Sequence, residues 1–432
     1  MPERAADSPH FNKAVAQMGE QRPLVATNAI FTTQGIKLID RGTTMTAKLY
    51  ERLMQHQSAE PWQNALDVEG PVRGRDLRAM AETLFTELPL FARMTPKPQD
   101  RLVLLDLLES LPLPKPIAFQ LTVARDVHPE QFKYFVATAL IAGWLGRRPQ
   151  VLRSDLVMIM SAGLLHDLGM LHVDPVLLQP KQQISRNERR QLYSHPLVSA
   201  LLLQEHKEYS RDMVRAVREH HEMLDGSGYP SGLSGAAISP WGSLLAMAQL
   251  VAAMIKPNRS HAELRLSVLL RTNRQRYQPE LVTRILGLLN PPPEEDAIVE
   301  PFDEEVADPV VALTAIDNTL ADWPASLAGD ARVTQARRSA LLHVAARCAR
   351  MRRTLVETGT SPELLSQIDT SAITGLTAIE LSLITREMAW QLRALQRQVR
   401  LNWVESAEES YPPPLQNWFN QGDAAVSQIL SR

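Results

Sequence analysis

Apolar residues recur at intervals of three and four through most of this chain, the spacing of helices that bury one face. The pattern is nearly continuous from Glu130 to Met254, with loops expected only at 147–153, 171–187 and 225–240. Two more helices are predicted near the C-terminus. Their core positions are Leu341, Val344, Cys348, Met351 and Leu355 in the first, and Ile384, Met388, Leu392, Leu395, Val399 and Trp403 in the second. We therefore expect a mainly α-helical protein.

The N-terminal quarter has a different pattern. Residues 1–22 are polar and predicted to be disordered, and two short β-rich runs around a turn then predict a hairpin. Helices are expected up to about Gln55 and over 75–92, after which prolines mark a linker around one short helix. A small α+β accessory segment, covering 23–116, should therefore precede the helical bundle.

The stretch from 290 to 309 is acidic and rich in proline, so it cannot bury much apolar surface, and we place a domain boundary in it. This boundary separates an all-helical middle domain over 117–289 from a helical C-terminal domain over 310–432. The C-terminal helices can pack on each other within one chain or pair two chains into a homodimer. The pattern favours packing within one chain.

Composition narrows the class of protein. The formal charge is -2 at pH 7, from 46 basic and 48 acidic residues, so no global field attracts nucleic acid or anionic lipid. Cys348 is the single cysteine, which excludes an intramolecular disulfide and a thiolate cluster and fits a reducing compartment. No apolar run reaches the roughly 20 residues that cross a bilayer. We expect a cytoplasmic protein whose partners include neither nucleic acid nor a membrane.

Three short motifs carry the candidate chemistry: HDLGM at 166–170, His195-Pro196, and HHEMLDGSGYP at 220–230. Their histidines and first aspartate fall near predicted helix ends, so several helices can point them at one spot. Neutral imidazole suits transition metals, and a carboxylate can bridge two ions. The predicted metal ligands are His166, Asp167, His195, His220 and His221.

A divalent ion at such a site can activate water and neutralise charge on a phosphoryl group. Two ions about 3.5 to 4 Å apart would stabilise the attacking and the leaving oxygen together. The alternative is a closed structural zinc site, which normally holds four protein ligands and would leave one of these residues unused. The residues therefore favour a hydrolytic centre.

The three motifs and the DPVLLQPKQQIS segment after the first resemble the HD-GYP family of bacterial phosphohydrolases, over about residues 120 to 270. The resemblance implies an all-helical HD-type bundle that hydrolyses the second messenger cyclic di-GMP to pGpG or GMP. It also implies a centre of two or three metals, often iron or manganese, with Asp167 as the bridge between ions. Asp167 and His166 would be catalytic, with Asp167 or a metal-bound hydroxide abstracting the proton.

The resemblance also implies a set of substrate-binding residues. Gly228, Tyr229 and Pro230 look like the loop that shapes the mouth of the active site. Lys256 and Arg259 resemble a basic element that grips the substrate phosphates. His172 is expected in a solvated loop, with a place lining the site as the alternative.

Three positions depart from the family pattern. Met170 stands where the family usually has a lysine, which removes a phosphate contact, and Gln249 stands where the family has a metal-ligating aspartate. An upstream histidine of the family is also absent, and Glu130 is aligned with it as a weak ligand, with His128 nearby. We expect one firmly bound metal, iron or manganese, and a second that is weak or absent.

Two functions follow from these observations. The intact GYP loop and the clustered histidines favour a phosphodiesterase that hydrolyses cyclic di-GMP. Met170 and Gln249 favour a protein that has lost catalysis and acts as a cyclic di-GMP receptor or docking module. In that case its C-terminal helices would bind a signalling partner.

Overall fold

The computed structural model describes residues 8–56, 58, 62–178, 185–256, 260–289, 302, 304–329, 334–368, 373–403 and 411–430. It is mainly α-helical, which confirms the predicted fold class. The helices are α1 (Pro9–Gln21), α2 (Ala47–Met54), α3 (Gly74–Glu87), α4 (Pro89–Met94), α5 (Pro98–Glu109), α6 (Lys115–Val127), α7 (Pro129–Gly146), α8 (Arg153–Leu165), α9 (Arg186–Leu192), α10 (His195–Gln204), α11 (Arg211–Glu219), α12 (Pro240–Met254), α13 (Ala262–Thr272), α14 (Pro279–Leu286), α15 (Pro309–Ala321), α16 (Gln335–Glu357), α17 (Pro362–Leu365), α18 (Gly375–Trp403) and α19 (Pro413–Leu430). The strands are β1 (Leu24–Ala26), β2 (Ile30–Phe31), β3 (Lys37–Ile39) and β4 (Leu66–Val68).

The short strands form two small antiparallel pairs. β2 pairs with β3 around a turn in which Gly35 has a φ of 79°, and this is the predicted hairpin. β1 pairs with β4, with Leu24 opposite Val68. The second pairing was not predicted, because a strand of three residues is too short to show an alternating pattern.

Residues 9–21 are helical, so the prediction of a disordered segment over 1–22 is wrong for that part. α1 begins with a proline, which suits the first helical turn, and buries Phe11, Val15 and Met18 on one face. It packs against α6 and against the 3-10 helix Leu168–His172. A short helix is stabilised mainly by such packing, which local polarity does not reveal. Residues 1–7 lie outside the described residues.

The helix predicted over 75–92 is in fact two helices, and the predicted linker is part of a core. Pro89 has no N–H to continue the hydrogen-bonding pattern, so α3 ends at Glu87 and α4 begins at Pro89. In the proline-rich stretch, α5 buries Leu104 and Leu108 and contacts α3, α7 and α8. Its prolines start helices rather than separate domains.

The chain divides into two compact units that differ from the predicted domains. The first comprises Met1–Pro257 and Gln275–Leu288, and the second comprises Asn258–Arg274 and Leu289–Arg432. The accessory segment over 23–116 thus belongs to the same unit as the middle helices. α13 belongs to the C-terminal unit instead, where Val268 is part of the core. Most of the predicted acidic linker lies outside the described residues.

α7 and α8 form the centre of the first unit. α7 packs along α8 and α12, and α11 packs on α8, α10 and α12. Gly163 allows the close approach of α7 and α8, since a Cβ there would lie 2.8 Å from the Ala139 Cα. The stretch Arg153–His172 is apolar and long enough to cross a membrane by length and composition alone. However, 67% of its apolar window is buried inside the protein, as in the core helix of a folded domain.

The second unit has its own apolar core, to which α15, α16, α18 and α19 contribute most residues. All the predicted core positions of the two C-terminal helices are buried in it, so these helices pack within one chain. Trp418 donates its indole N–H to the Thr319 carbonyl at 2.8 Å and lies against Trp323, with ring centroids 4.8 Å apart. These contacts fix α19 on α15.

Candidate metal centre

The five predicted ligands converge from the ends of three helices. His166 and Asp167 follow α8, His195 opens α10, and His220 and His221 follow α11. Ligand atoms of Asp167, His195, His220 and His221 all lie within 4.8 Å of one another. His166 adjoins this group, with its Nε2 atom 3.4 Å from Oδ2 of Asp167. Sequence reasoning therefore identified a cluster that the fold assembles.

Three of the histidines are oriented by the same kind of contact. In each, Nδ1 bonds the main-chain carbonyl three residues earlier: Gly163 for His166 (2.9 Å), Leu192 for His195 (2.7 Å) and Val217 for His220 (2.6 Å). Each of these carbonyls lies in the last turn of a helix, where carbonyls lack an intrahelical partner. A carbonyl can only accept, so Nδ1 carries the proton and the Nε2 lone pair points into the cluster.

The donor atoms have the spacing of ligands around one cation. Asp167 Oδ1 lies 3.0 Å from His195 Nε2 and 3.5 Å from His220 Nε2, and these nitrogens are 3.4 Å apart. Ligands bonded to one ion at about 2.1 Å lie about 3.0 Å apart in an octahedron and about 3.4 Å apart in a tetrahedron. The observed distances cover this range.

Asp167 Oδ1 also indicates that a cation belongs here. It is buried and accepts no hydrogen bond from the residues that the structure describes. Its nearest neighbours are the Nε2 atoms of His195 and His220, whose lone pairs face it. Lone pairs facing a carboxylate oxygen repel it unless a positive charge lies between them. The chemistry of the donor set therefore fits a transition-metal ion.

Burial and charge set the protonation of the cluster. Burial lowers the pKa of His220 to about 4. Burial, together with the charges of His220 and His195, holds the pKa of His221 well below its usual value. Burial opposes ionisation of Asp167, but its interactions with the neighbouring imidazoles of His166 and His195 outweigh this effect and hold its pKa well below the usual range. At neutral pH, His220 and His221 are neutral and Asp167 is ionised, as metal binding requires.

Gly169 fixes the turn that presents Asp167. Its N–H donates to Ser199 Oγ at 2.8 Å, and a Cβ at this position would lie 2.3 Å from the carbonyl oxygen of His195. The turn can approach α10 this closely only because the residue is glycine. The glycine of the first motif thus sets the distance between Asp167 and His195.

A second group of side chains closes the other side of Asp167. The Tyr134 hydroxyl, from α7, lies 3.3 Å from His166 Nε2 and 3.2 Å from Oε1 of Gln249 on α12. Glu130, the predicted weak ligand, is exposed one helical turn before Tyr134 and is not among the four clustered groups. The sequence analysis missed Tyr134, because no local signal marks this one tyrosine on an otherwise apolar helix.

The GYP loop reaches the cluster through stacked aromatic rings. Tyr229 stacks on His221 with ring centroids 4.5 Å apart and on Tyr193 with centroids 4.1 Å apart. A Cβ at Gly228 would lie 2.4 Å from the His221 carbonyl oxygen, so glycine is required there. Pro230 follows Tyr229 through a cis bond. The structure thus places the predicted loop beside the histidines and adds Tyr193, which sequence reasoning missed.

Glu222 supports the far end of the same loop. It is buried, and its carboxylate accepts the main-chain N–H groups of Ser231 at 2.7 Å and Leu233 at 2.8 Å. Such charge-assisted hydrogen bonds hold the loop against α11. Its place directly after the paired histidines is the signal that could have identified it.

The remaining candidate residues lie away from the cluster or outside the described residues. Lys256 is exposed just after α12, and Arg259 lies outside the described residues. Met170 is partly buried in the 3-10 helix Leu168–His172. The expectation that His172 is solvated is wrong, because it is buried beneath α1 with its ring stacked on that of Phe11, at 4.6 Å between the centroids.

The sequence of this chain is similar, over part of its length, to those of known phosphodiesterases. Residues 97–281 match the HD domain family. A 3'3'-cGAMP-specific phosphodiesterase of Vibrio cholerae is 36% identical over 93 residues, which are 21% of this chain and 21% of that protein. A cyclic di-GMP phosphodiesterase of Pseudomonas aeruginosa is 39% identical over 79 residues, 18% of this chain and 19% of that protein.

The matches cover only part of each protein, but the matched curated relatives are all named as phosphodiesterases of cyclic dinucleotides. The chain spans at most 31% of the length of the curated relatives that it matches. A solved HDG"Y"P protein of Bdellovibrio bacteriovorus aligns at 15% identity with a TM-score of 0.32, covering 61% of this chain and 94% of that chain, a similarity too low for structural argument. The chain carries an HD domain. The partial relatives, which are named as phosphodiesterases of cyclic di-GMP or 3'3'-cGAMP, support the resemblance to the HD-GYP family that the motifs predicted.

Proposed function

We propose that this chain is a metal-dependent phosphodiesterase that hydrolyses cyclic di-GMP, to pGpG or GMP, in bacterial signalling. The observation that carries the proposal is the convergence of Asp167 Oδ1 with the Nε2 atoms of His195 and His220 at ligand spacing. The names of the relatives support the substrate class, since they are phosphodiesterases of cyclic di-GMP or 3'3'-cGAMP. A cytoplasmic location is part of the same proposal.

Iron or manganese, held by Asp167, His195, His220 and His221, would supply an activated water at neutral pH and neutralise charge on the phosphoryl oxygens. The protein contributes preorganisation. Its Nδ1 hydrogen bonds keep the imidazole lone pairs directed inward, so little rearrangement accompanies binding.

The substrate is proposed to lie beside the histidines and along the GYP loop. A purine base can stack on the exposed side of Tyr193, whose other face packs on Tyr229. Lys256 and Arg259 are proposed to pair with the second phosphate, since charge-assisted contacts to phosphate are strong. The loop residues Gly228 and Pro230 keep Tyr229 in place.

Asp167 is the proposed catalytic residue, and His166, the other predicted one, is proposed to act through it. In the reaction, a bond forms between water oxygen and phosphorus, the bond from phosphorus to the ribose oxygen breaks, and a proton passes from the water to the leaving oxygen. The low pKa of Asp167 suits it to orient that water and hold a cation more than to store the proton. His166 lies next to Asp167, with its Nε2 atom 3.4 Å from Oδ2.

The test is hydrolysis by purified protein loaded with Mn²⁺ or Fe²⁺ under reducing conditions. Cyclic di-GMP and 3'3'-cGAMP are supplied separately, and linear products are resolved by chromatography. We expect a linear product from the wild type and a loss of at least about 100-fold in His220→Ala, since even losing a ligand's hydrogen-bond partner typically costs 10- to 100-fold. His206→Ala, at a histidine outside the cluster, should retain activity. A metal-loaded wild type that forms no product from either nucleotide would refute the proposal.

A second function is favoured by Met170 and Gln249, which replace a phosphate-binding lysine and a metal ligand of the family. In this alternative the chain is a catalytically degenerate receptor or docking module that passes cyclic di-GMP binding to a signalling partner through its C-terminal helices. Calorimetric titration distinguishes the two, because a receptor binds cyclic di-GMP without forming product. Met170→Lys is the matched variant: it should lower KM in an enzyme and produce no turnover in a receptor.

A further inference from the structure

Three side chains from three helices form a hydrogen-bonded group on the side of Asp167 that faces away from His195. They are Tyr134 of α7, His166 at the end of α8 and Gln249 of α12. The Tyr134 hydroxyl bridges the other two, at 3.3 Å from His166 Nε2 and 3.2 Å from Gln249 Oε1. The rings of Tyr134 and His166 also meet edge to face, with centroids 5.4 Å apart.

In this group, the Tyr134 hydroxyl takes up the Nε2 lone pair that His166 would need to bind a metal. Nδ1 of His166 already donates to the Gly163 carbonyl, so Nε2 can only accept, and the Tyr134 hydroxyl is a donor within reach. Exchanging the oxygen and nitrogen of the Gln249 amide lets its N–H donate to the hydroxyl oxygen while the hydroxyl donates to Nε2. The three groups then satisfy one another.

The donors that remain on this side are too few for a second ion. Asp167 Oδ2 is the anionic atom there, and it already faces His166 Nε2 at 3.4 Å. Gln249 offers a neutral amide, which binds transition metals weakly.

We infer that Tyr134 and Gln249 take the place of a second metal ion, so that this centre binds one ion and His166 is a positioning residue rather than a ligand. The inference rests on the metal centre of the proposed function. The absence of the family's aspartate removes one ligand of the second ion. We infer in addition that the Tyr134 hydroxyl occupies the place where that ion would bind His166. Restoring an aspartate is then insufficient, since the hydroxyl still holds His166.

The opposite role for Tyr134 is ligation. Oxygen and nitrogen atoms 3.3 Å apart could share one ion, and a tyrosinate bound to ferric iron absorbs visible light through charge transfer. The hydroxyl contacts both His166 Nε2 and Gln249, as a hydrogen-bond donor would, which argues against this role. An iron-loaded, air-oxidised wild type should therefore show no visible band that disappears in Tyr134→Phe, and such a band would overturn the inference.

The main experiment counts metal ions per chain by mass spectrometry after manganese loading and desalting. We expect one ion in the wild type, in Tyr134→Phe and in Gln249→Asp. We expect two in the double variant Tyr134→Phe/Gln249→Asp, which frees His166 and supplies a carboxylate. The matched control is Tyr209→Phe/Gln249→Asp, because Tyr209 is another buried tyrosine of the same unit, bonded to the Pro112 carbonyl, and this variant should hold one ion.

Electron paramagnetic resonance gives a second readout, since two neighbouring Mn²⁺ ions couple and one does not. If the added carboxylate unfolds the bundle by circular dichroism, Tyr134→Phe/Gln249→His replaces it with a neutral ligand and the same expectation. Two ions in the wild type, or one ion in every folded double variant, would overturn the inference. A wild type without metal would remove the proposed centre as well, whereas one ion without hydrolysis would remove the proposed function and keep this inference.

Discussion

At the scale of one residue, His172 shows how a buried imidazole without hydrogen-bond partners among the described residues makes the stability of the fold depend on pH. It is buried beneath α1, and neither ring nitrogen has a hydrogen-bond partner among the described residues. Burial lowers its pKa from 6.5 to about 4. The unfolded chain therefore takes up a proton near pH 6.5 that the folded chain takes up only near pH 4. This contribution to stability is complete above the higher value and is lost as the pH falls toward the lower one.

We expect His172→Phe to remove this contribution to the pH dependence. The free energy of unfolding should fall more steeply with decreasing pH in the wild type, by about 1.4 kcal/mol per unit between about pH 6.5 and pH 4. At neutral pH the variant should gain about 1–3 kcal/mol, because phenylalanine keeps the stacking on Phe11 without buried unpaired nitrogens.

Denaturant unfolding of metal-free wild type and variant over this pH range measures the effect. The difference between the two curves isolates His172, because the other histidines are common to both proteins. Parallel curves for the two proteins would contradict the assignment.

The identity of the clustered ligands could be predicted from sequence, whereas their orientation could not. The HDLGM, His195-Pro196 and HHE motifs identify Asp167, His195 and His220 by residue type and by their closeness to helix ends. The carbonyl that orients each imidazole comes from backbone geometry and leaves no mark in the side chains. Tyr134 was missed for a related reason, since its contacts with His166 and Gln249 join residues far apart in the chain.

At the scale of elements, an aromatic column links α9 to the end of α11. Tyr193 stacks on Tyr229, which stacks on His221, and Tyr193 is 37% exposed. In the proposed enzyme this exposed ring is the surface on which a base stacks. Stacking a base on an aromatic side chain contributes about 1–3 kcal/mol.

We expect Tyr193→Ala to raise KM for cyclic di-GMP by about 10-fold, with a much smaller change in kcat, because the ring acts on binding rather than on phosphorus chemistry. Tyr193→Phe is the control and should behave like the wild type. Steady-state kinetics of the manganese-loaded proteins make the comparison. A fall in kcat at constant KM would instead assign Tyr193 to support of Tyr229 and His221.

At the scale of elements, a strong apolar period predicts that a helix exists. It does not predict where the helix ends or which elements it packs against. Pro89 divides one predicted helix into α3 and α4, a local effect that the apolar period conceals. The helix α1 was not predicted, because its many polar residues hide the apolar face that it buries. Its buried face, which includes Phe11 and Val15, is stabilised by contacts that depend on the rest of the fold.

On the scale of the whole molecule, the chain has two compact units, and all the proposed metal ligands lie in the first. Binding an ion to the folded state stabilises it by about 2.7 kcal/mol when the free ion is at 100 times its Kd. For a unit of this size, that corresponds to a shift of roughly 5 to 10 °C in Tm. The second unit should gain nothing from the metal.

We therefore expect differential scanning calorimetry to resolve two transitions, of which a chelator lowers one by roughly 5 to 10 °C and leaves the other unchanged. His220→Ala should abolish the response to the chelator. Equal shifts of both transitions would show that the two units unfold as one.

The existence of more than one core could be predicted from length and helical period, but the membership of each core could not. Helical period reports which face of a segment is buried and not what covers it. α13 illustrates this limit, since its apolar face, including Val268, contributes to the C-terminal core although the chain segments before and after it, Met1–Pro257 and Gln275–Leu288, belong to the first unit.

The contact between Tyr134 and Gln249 has a consequence for how this architecture evolves. Both side chains project from helices, Tyr134 from α7 and Gln249 from α12. On this inference, two point substitutions would convert a mononuclear centre into a dinuclear one, without a new loop, turn or helix. Under the inference drawn above, the number of bound ions could change while the fold and the three motifs stay the same.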